Sequence, residues 1–455
     1  MAKRLDYSKL GQELMRVLAL EGPTAAGEAS RRLGISQPAF SRLAARNRGD
    51  LLFTGRARST RYAARRTIPS VGRSVPIYEI DEAGKARRLA TLQAIQPRGF
   101  FVETTAGDMR GGFYDDLPYF LDDLRPAGFL GRLIPLRHPD LGLGQDIRQW
   151  TADHCLIYLT RFGWSLSGNL VLGEEAFRLY LSNTRTPPDL VEAGQRRTRY
   201  PAMVGDLLSA GAVGSSAAGE QPKFLVARAP GPVAVLVKFS PPLRDETGRR
   251  LADLLVCEHI AHNTLRDHDR PTAKSEILPA DDRIFLEVQR FDRLEGGGRR
   301  GLLSLAALEA EFVGAAGSWS GAAAALLAAG HVDETAFRHV QWIECFGRLI
   351  ANTDMHPRNF SFYARGTRIL GPAPVYDMLP MMYAPHQGHL MDQRFRPPIP
   401  GPADAAIWDE ACRAARDFWS AVASHPLVSK GFQKIARSNA VELDGLANMG
   451  RLLPR

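Results

Sequence analysis

Residues 333–377 constrain the fold more tightly than any other segment. From Asp333 to Ile350, the residues Phe337, Val340, Ile343, Phe346 and Ile350 recur every three or four positions, which predicts a helix burying one face. The run Ala351-Asn-Thr-Asp-Met-His-Pro-Arg-Asn-Phe follows, then two short apolar stretches, Phe360 to Tyr363 and Arg368 to Leu370, and then Pro374-Val-Tyr-Asp-Met. This reads as a helix, a loop and a hairpin, with Asp354 before the hairpin and Asp377 after it. A single Asp in such a loop is commonly a cap or a solvated turn. The set around a hairpin is more specific.

Phosphoryl transfer needs an acceptor for the hydroxyl proton and oxygen ligands for the magnesium on the nucleotide phosphates, and protein kinases place the first Asp and an Asn five residues apart. Asp354 and Asn359 have that interval, and Asp377 lies where a second metal-binding Asp follows a short hairpin. Asp354 is therefore predicted as the catalytic base, with Asn359 and Asp377 as magnesium ligands. His356 either supports this loop through its ring nitrogens or fills a polar pocket.

The nucleotide-binding half is expected upstream. Gly214-Ser-Ser-Ala-Ala-Gly-Glu-Gln-Pro-Lys-Phe is a small-residue loop of the kind that lets backbone N–H groups approach phosphate oxygens, a weak signal alone. The alternating, β-branched run Val233-Ala-Val-Leu-Val-Lys-Phe puts Lys238 on a strand, where a kinase carries the Lys that meets the α/β-phosphates. A predicted helix from Leu251 to Thr264 carries Glu258, either that lysine's partner or a solvated residue. A strand from Ile284 toward Arg293 presents the backbone of Val288 to Phe291, including Gln289, to an adenine.

Charge separates the first segment from the rest. Residues 1–66 hold 14 of the 58 Lys and Arg but 5 of the 49 Asp and Glu, whereas the other 389 residues hold 44 of each. A +9 excess confined to one segment marks a polyanion partner, since a solvated surface would spread it. Tyr7 to Leu20 has helical spacing ended by Gly22-Pro23. Thr24 is expected to cap a short helix through Leu33, and Ser36 a third with Pro38 in its first turn. Ile35, Phe40 and Leu43 would face inward while Gln37, Ser41 and Arg42 project. Leu51 to Tyr62 reads as a hairpin carrying Arg56, Arg58 and Arg61, the wing of a winged helix-turn-helix. The plainer alternative is a basic helical module that binds protein or only solubilises the chain.

Length predicts two or three domains, at about one per 150 residues. With 45% hydrophobic and 24% charged residues, disorder and fibrous repeats are excluded. A linker is expected near Ile68 to Pro76, and a small β-rich subdomain after it. The longest uncharged stretch, Phe312 to Gly330, is read as a buried helix and loop. Without an apolar run behind Lys3 and Arg4, no secretory signal is predicted and the protein is expected in the cytoplasm, at the nucleoid where it meets DNA. Cys155, Cys257, Cys345 and Cys412 lack metal or redox spacing and are expected as buried thiols.

The phrases Ser216-Ala-Ala-Gly-Glu-Gln-Pro-Lys, Val288-Gln-Arg-Phe-Asp-Arg, Thr353-Asp-Met-His-Pro-Arg-Asn-Phe-Ser and Val375-Tyr-Asp-Met-Leu-Pro closely resemble signatures of the HipA-family serine/threonine kinases, bacterial toxins of type II toxin–antitoxin systems. With a helix-turn-helix in front, the chain looks like the YjjJ branch of that family. The resemblance covers residues 75–440 and implies an α+β, two-lobed protein-kinase-like fold: a winged helix-turn-helix over 1–66, linker and β-rich subdomain over 67–200, a first lobe with the ATP loop over 201–290 and a helical second lobe over 291–455. It implies ATP and Mg2+ as cofactors, with Ser216, Gly219, Gln221, Lys223, Lys238, Gln289 and Phe291 at the nucleotide. Ser216 also matches the family's autophosphorylated serine, whose modification would add about two negative charges among donors that serve ATP. Implied partners are a protein substrate such as an aminoacyl-tRNA synthetase, DNA, and an antitoxin or a second copy of the chain. Two departures stand out: the loop is not the G-x-G-x-x-G of common kinases, and Met355 and Pro357 flank His356 where many relatives have smaller residues. The rival reading is a DNA-binding regulator whose kinase fold only senses nucleotide.

Overall fold

The computed structural model describes residues 6–55, 59–105, 107–185, 187–211, 221–446 and 449. Its first elements are α1 (Tyr7–Glu21), β1 (Thr24–Ala25), α2 (Ala26–Arg32), α3 (Gln37–Arg46), β2 (Leu51–Thr54) and β3 (Arg61–Ala64), with the strands in the order β1-β3-β2. Asp6 caps α1 by accepting from the N–H groups of Ser8 and Lys9. Thr24 does not cap α2 as expected. It pairs with Tyr62 as a strand, and its hydroxyl donates to the Gly22 carbonyl, so the α2 cap position falls to Ala25. Leu14, Leu18, Phe40 and Leu43 form a small core between the helices.

The second part holds β4 (Ser74–Ile80), β5 (Ala86–Ala94), β6 (Phe100–Thr104), β7 (Gly112–Tyr114), the short helices α4 (Tyr119–Asp122), α5 (Gly128–Arg132) and α6 (Ile134–Arg137), then α7 (Ala152–Phe162), β8 (Leu170–Leu172) and α8 (Glu174–Arg185). The strands form one sheet, β7-β6-β5-β4-β8. Apart from β8, the expectation of a β-rich subdomain holds only up to Tyr114. Beyond it the segment is mainly helical, because the apolar residues of 119–185 fall at helical spacing. The segment expected as a linker is tied down: Ile68 is buried, and Arg66 donates its N–H to the Ala94 carbonyl and its guanidinium to Asp153 on α7.

A second sheet, β12-β13-β11-β10-β9, contains β9 (Leu190–Val191), β10 (Lys223–Arg228), β11 (Val233–Phe239), β12 (Ser275–Ala280) and β13 (Arg283–Gln289). Two helices accompany it, α9 (Arg196–Ser209) and α10 (Glu246–Asp267). A division at residue 200 therefore cuts α9, and β9 already belongs to this sheet. The helix expected over 251–264 begins a turn earlier, where Asp245 accepts from the Gly248 N–H.

The last part is mostly helical: β14 (Gly301–Ser304), α11 (Leu305–Leu308), α12 (Trp319–Ala328), α13 (Glu334–Leu349), β15 (Ser361–Arg365), β16 (Arg368–Pro372), α14 (Trp408–Ser424) and α15 (Lys430–Asp444). Trp319, Trp342, Trp408 and Trp419 are fully buried here. The whole is a mixed α+β fold. Among the described residues no helix is long and apolar enough to cross a membrane.

Candidate active site

Three of the predicted segments meet at Lys238. Antiparallel pairing sets Lys238 of β11 directly opposite Lys223 of β10, so both ammonium groups leave the same face of the sheet. Two like charges side by side need anions, and α10 with the β15–β16 hairpin provides them. Both Glu258 carboxylate oxygens lie 2.7 Å from Lys238 Nζ, and Asp377 binds the same nitrogen. Glu258 is thus the lysine's partner and not a solvated residue, with 1% of its surface exposed. Burial alone would raise the Asp377 carboxyl, but Lys238 and Lys223 outweigh it and hold that carboxyl well below the usual range. Burial pushes Glu258 upward, against the pull of Lys238.

The loop after α13 is shaped by local strain and capping. Ala351 and Asp377 both take left-handed backbone conformations, φ 60° and 51°, which non-glycine residues adopt at a cost and mostly at functional sites. The Asp354 N–H donates to Asn352 Oδ1, and Asn359 Nδ2 donates to the Asp354 carbonyl, 2.8 Å away. That bond engages the Asn359 amide nitrogen, and its Oδ1 makes no hydrogen bond to a described residue. The His356 ring accepts the Arg358 N–H through Nδ1 at 3.0 Å and is exposed, so it caps the 3-10 turn Pro357–Asn359 and fills no pocket. Met355 is accommodated by Gly347 of α13, where any Cβ would collide with its sulfur. Arg358 pairs with Asp122 of α4 at 2.8 Å, tying the loop to the second part of the chain.

Asn359 and Asp377 offer hard oxygen donors. Among the described residues no three His, Cys, Asp or Glu cluster as a metal cage. That donor set fits Mg2+, which takes one or two protein ligands and completes its shell with water and phosphate oxygens.

Two predicted nucleotide contacts are otherwise engaged. The Gln221 side chain donates to the Phe239 carbonyl at 2.6 Å, bracing the end of β11, so its amide is not directed at phosphate. The Gln289 N–H donates to the Lys274 carbonyl, which leaves the Phe291 amide, bonded to no described residue, as the strand-end donor. Ser216 and Gly219 lie outside the described residues, as do Arg56 and Arg58. Of the remaining basic-segment positions, Gln37, Ser41, Arg42 and Arg61 are all exposed; Arg42 donates to the Tyr7 hydroxyl and Arg61 to the Pro23 carbonyl.

Sequence reasoning missed His262, one helical turn beyond Glu258. It is fully buried, its Nδ1 lies 3.0 Å from Ser275 Oγ, and Nε2 has no partner among the described residues. The interval of four on α10 was the available signal. Burial, reinforced by Lys238, lowers its pKa to about 3. The folded protein therefore refuses a proton that the unfolded chain accepts near pH 6.5, so stability is full above that pH and falls as the pH drops toward 3. From pH 7 to pH 5 this one residue is expected to remove about 2 kcal/mol, from 1.36 kcal/mol per unit, and His262→Gln should flatten that slope in urea titrations.

The pattern of the YjjJ-like toxin middle domain matches residues 71–181, and that of the HipA-like C-terminal domain matches residues 215–428. Toxin YjjJ of Escherichia coli (strain K12) is 39% identical over 426 residues, covering 92% of this chain and 95% of that protein. The chain belongs to the YjjJ-like toxin family. Within solved structures, a chain of the Shewanella oneidensis MR-1 toxin–antitoxin complex of HipA, HipB and operator DNA aligns with a TM-score of 0.52 at 15% identity. The match covers 83% of this chain and all of that one, and it marks a fold shared with HipA. The family's middle-domain segment is the sheet β7-β6-β5-β4-β8 with α4 to α7 and the first part of α8, and its C-terminal segment carries the Lys238, Glu258 and Asp377 cluster.

Proposed function

We propose that this YjjJ-like protein is an ATP-dependent kinase that phosphorylates Ser or Thr of a protein target and its own Ser216. The observation that carries the reading is the Lys238 ammonium, gripped by Glu258 from one side and Asp377 from the other. Such a lysine, ion-paired beside a hairpin-end aspartate, is the arrangement that orients nucleotide phosphates in kinases. In this reading the first lobe is the sheet from β9 to β13 with α10, the second lobe is residues 291–455, and the cleft between them holds ATP. ATP supplies the γ-phosphoryl group, and Mg2+ neutralises its oxygens when bound.

The residues divide the work. Lys238 and Lys223 meet phosphate oxygens, and the Phe291 amide meets the adenine. Asn359 Oδ1 and Asp377 hold the metal, and the exposed Asp354 carboxylate takes the proton from the acceptor hydroxyl. The test is incubation of the full chain with labelled ATP and Mg2+. Label on Ser216 and on a lysate protein is expected. Nucleotide binding without any transfer would favour a nucleotide-sensing regulator.

The same reading gives residues 1–66 to DNA as a winged helix-turn-helix, with α3 as the recognition helix and the β2–β3 hairpin as the wing. The exposed side chains of Gln37, Ser41 and Arg42 and the confinement of the net charge support it, and Arg56, Arg58 and Arg61 would extend the contact. The HipA, HipB and operator complex makes DNA and an antitoxin reasonable partners here. Removing Arg42 and Arg61 is expected to weaken binding on all sequences and to reduce the salt slope by about one per lost phosphate contact. Unchanged binding isotherms across a salt series would move the DNA surface elsewhere.

A further inference from the structure

Past Gln289 the chain leaves β13 and folds into a tight turn: the Arg290 N–H reaches the Ala234 carbonyl, the Leu294 N–H that of Gly298, the Arg299 N–H that of Asp81 and the Arg300 N–H that of Asp292. Side chains add to these bonds. Arg290 donates to the Ser165 carbonyl at 2.9 Å and the Leu166 carbonyl at 3.2 Å. Arg293 donates to the Gly168 carbonyl at 2.8 Å and also to Leu166, and Arg299 donates to the Trp164 carbonyl at 2.6 Å. In return the Gly168 N–H donates to the Asp292 carboxylate at 2.8 Å, which pairs with Arg290 and Arg293 as well.

Arg290 and Arg293 thus share the Asp292 carboxylate, and the buried Arg299 adds a further positive charge nearby, an imbalance that burial makes costly. The loop they grip explains how it is tolerated. Residues 164–168 begin within the 3-10 turn Gly163–Ser165 that follows α7, where carbonyls lack helical partners and the helix dipole has its negative end. Arg299 also lies over the Tyr180 ring, 4.5 Å from its centre. Phe291, between the gripping residues, turns the other way toward Tyr376, the neighbour of Asp377, with ring centres 5.8 Å apart. One side of this short segment is therefore fixed to the middle domain and the other to the metal-binding hairpin.

We propose that Arg290, Asp292 and Arg293 are positioning residues for the nucleotide, acting through the 164–168 loop so that the middle domain sets where the strand end offers its backbone to the adenine. The inference rests on the nucleotide reading above. A middle domain that merely packed against the strand would affect folding alone; one that positions the strand end also affects nucleotide affinity.

Arg290→Lys tests this, because Lys keeps the charge beside Asp292 yet cannot span two carbonyls as the guanidinium fork does. In the full chain with Mg2+ and a non-hydrolysable ATP analogue, Arg290→Lys is expected to raise Kd roughly tenfold. The KM for ATP should rise in step, while the rate at saturating ATP stays near that of the unmodified protein and the urea midpoint falls by no more than the lost carbonyl bonds require, leaving the variant folded under assay conditions. An unchanged Kd in the folded variant overturns the proposal. Should Arg290→Lys unfold, Arg293→Lys carries the same test, and unfolding of both assigns the clamp to stability alone. Absence of analogue binding by the unmodified protein overturns the kinase reading as well, and is seen before any variant is made.

Discussion

Asp354→Ala is expected to slow phosphate transfer by roughly three orders of magnitude while the affinity for nucleotide holds, since a positioned base contributes about 10²–10⁴-fold. The substitution spares the surrounding geometry. The bonds that fix the loop use the Asp354 N–H and carbonyl, both retained by Ala, and its carboxylate is exposed. The lost rate therefore reports on the proton acceptor and not on a collapsed loop. Initial rates with labelled ATP, alongside analogue binding, measure the two effects separately. A variant that still phosphorylates at the normal rate would remove Asp354 from the chemistry.

The second large effect belongs to Lys238. Lys238→Met strands the buried Glu258 carboxylate beside that of Asp377, whose side chain is 31% exposed, and breaking the buried Lys238–Glu258 pair in this way costs about 3–5 kcal/mol. The pH dependence carries the sign. In the unmodified protein Asp377 is held below its unfolded pKa, so its contribution is present at neutral pH and is lost as the pH falls through the folded value. The variant lacks that contribution at neutral pH, so its deficit should be greatest near pH 7 and shrink below about pH 4, where carboxyls protonate. Urea midpoints across that range check it. A deficit independent of pH would mean that lost packing of the lysine stem, and not its charge, carries the effect.

The candidate site residues could be picked out because their spacing is local. Asp354 and Asn359 stand on one loop, and Lys238 lies within a strand whose alternation is plain in sequence. Glu258 could be placed on a helix but not paired, because the contact depends on how α10 crosses β11, which no local pattern encodes. Gln221 and Gln289 show the converse limit: a motif proposes them for a nucleotide, yet their amides are claimed by the carbonyls of Phe239 and Lys274. Thr24 has the composition of a cap and was drawn into a strand by its pairing with Tyr62, a tertiary demand stronger than a capping preference. The arginine clamp was invisible for a similar reason, since its acceptors are carbonyls more than a hundred residues away. Residues 119–185 were misjudged because the strands just before them set the expectation for the whole segment.

The cysteines bear on how the molecule opens. Cys155, Cys257, Cys345 and Cys412 are buried in α7, α10, α13 and α14, and burial raises each thiol, that of Cys345 to about 12. Thiolate is the reactive species, so alkylation of any of them must wait for its helix to part from its neighbours. Each sulfur then keeps time for a different region of the chain. Cys257 adjoins Glu258, so the interval before its capture would register how firmly ligands close the lysine cluster.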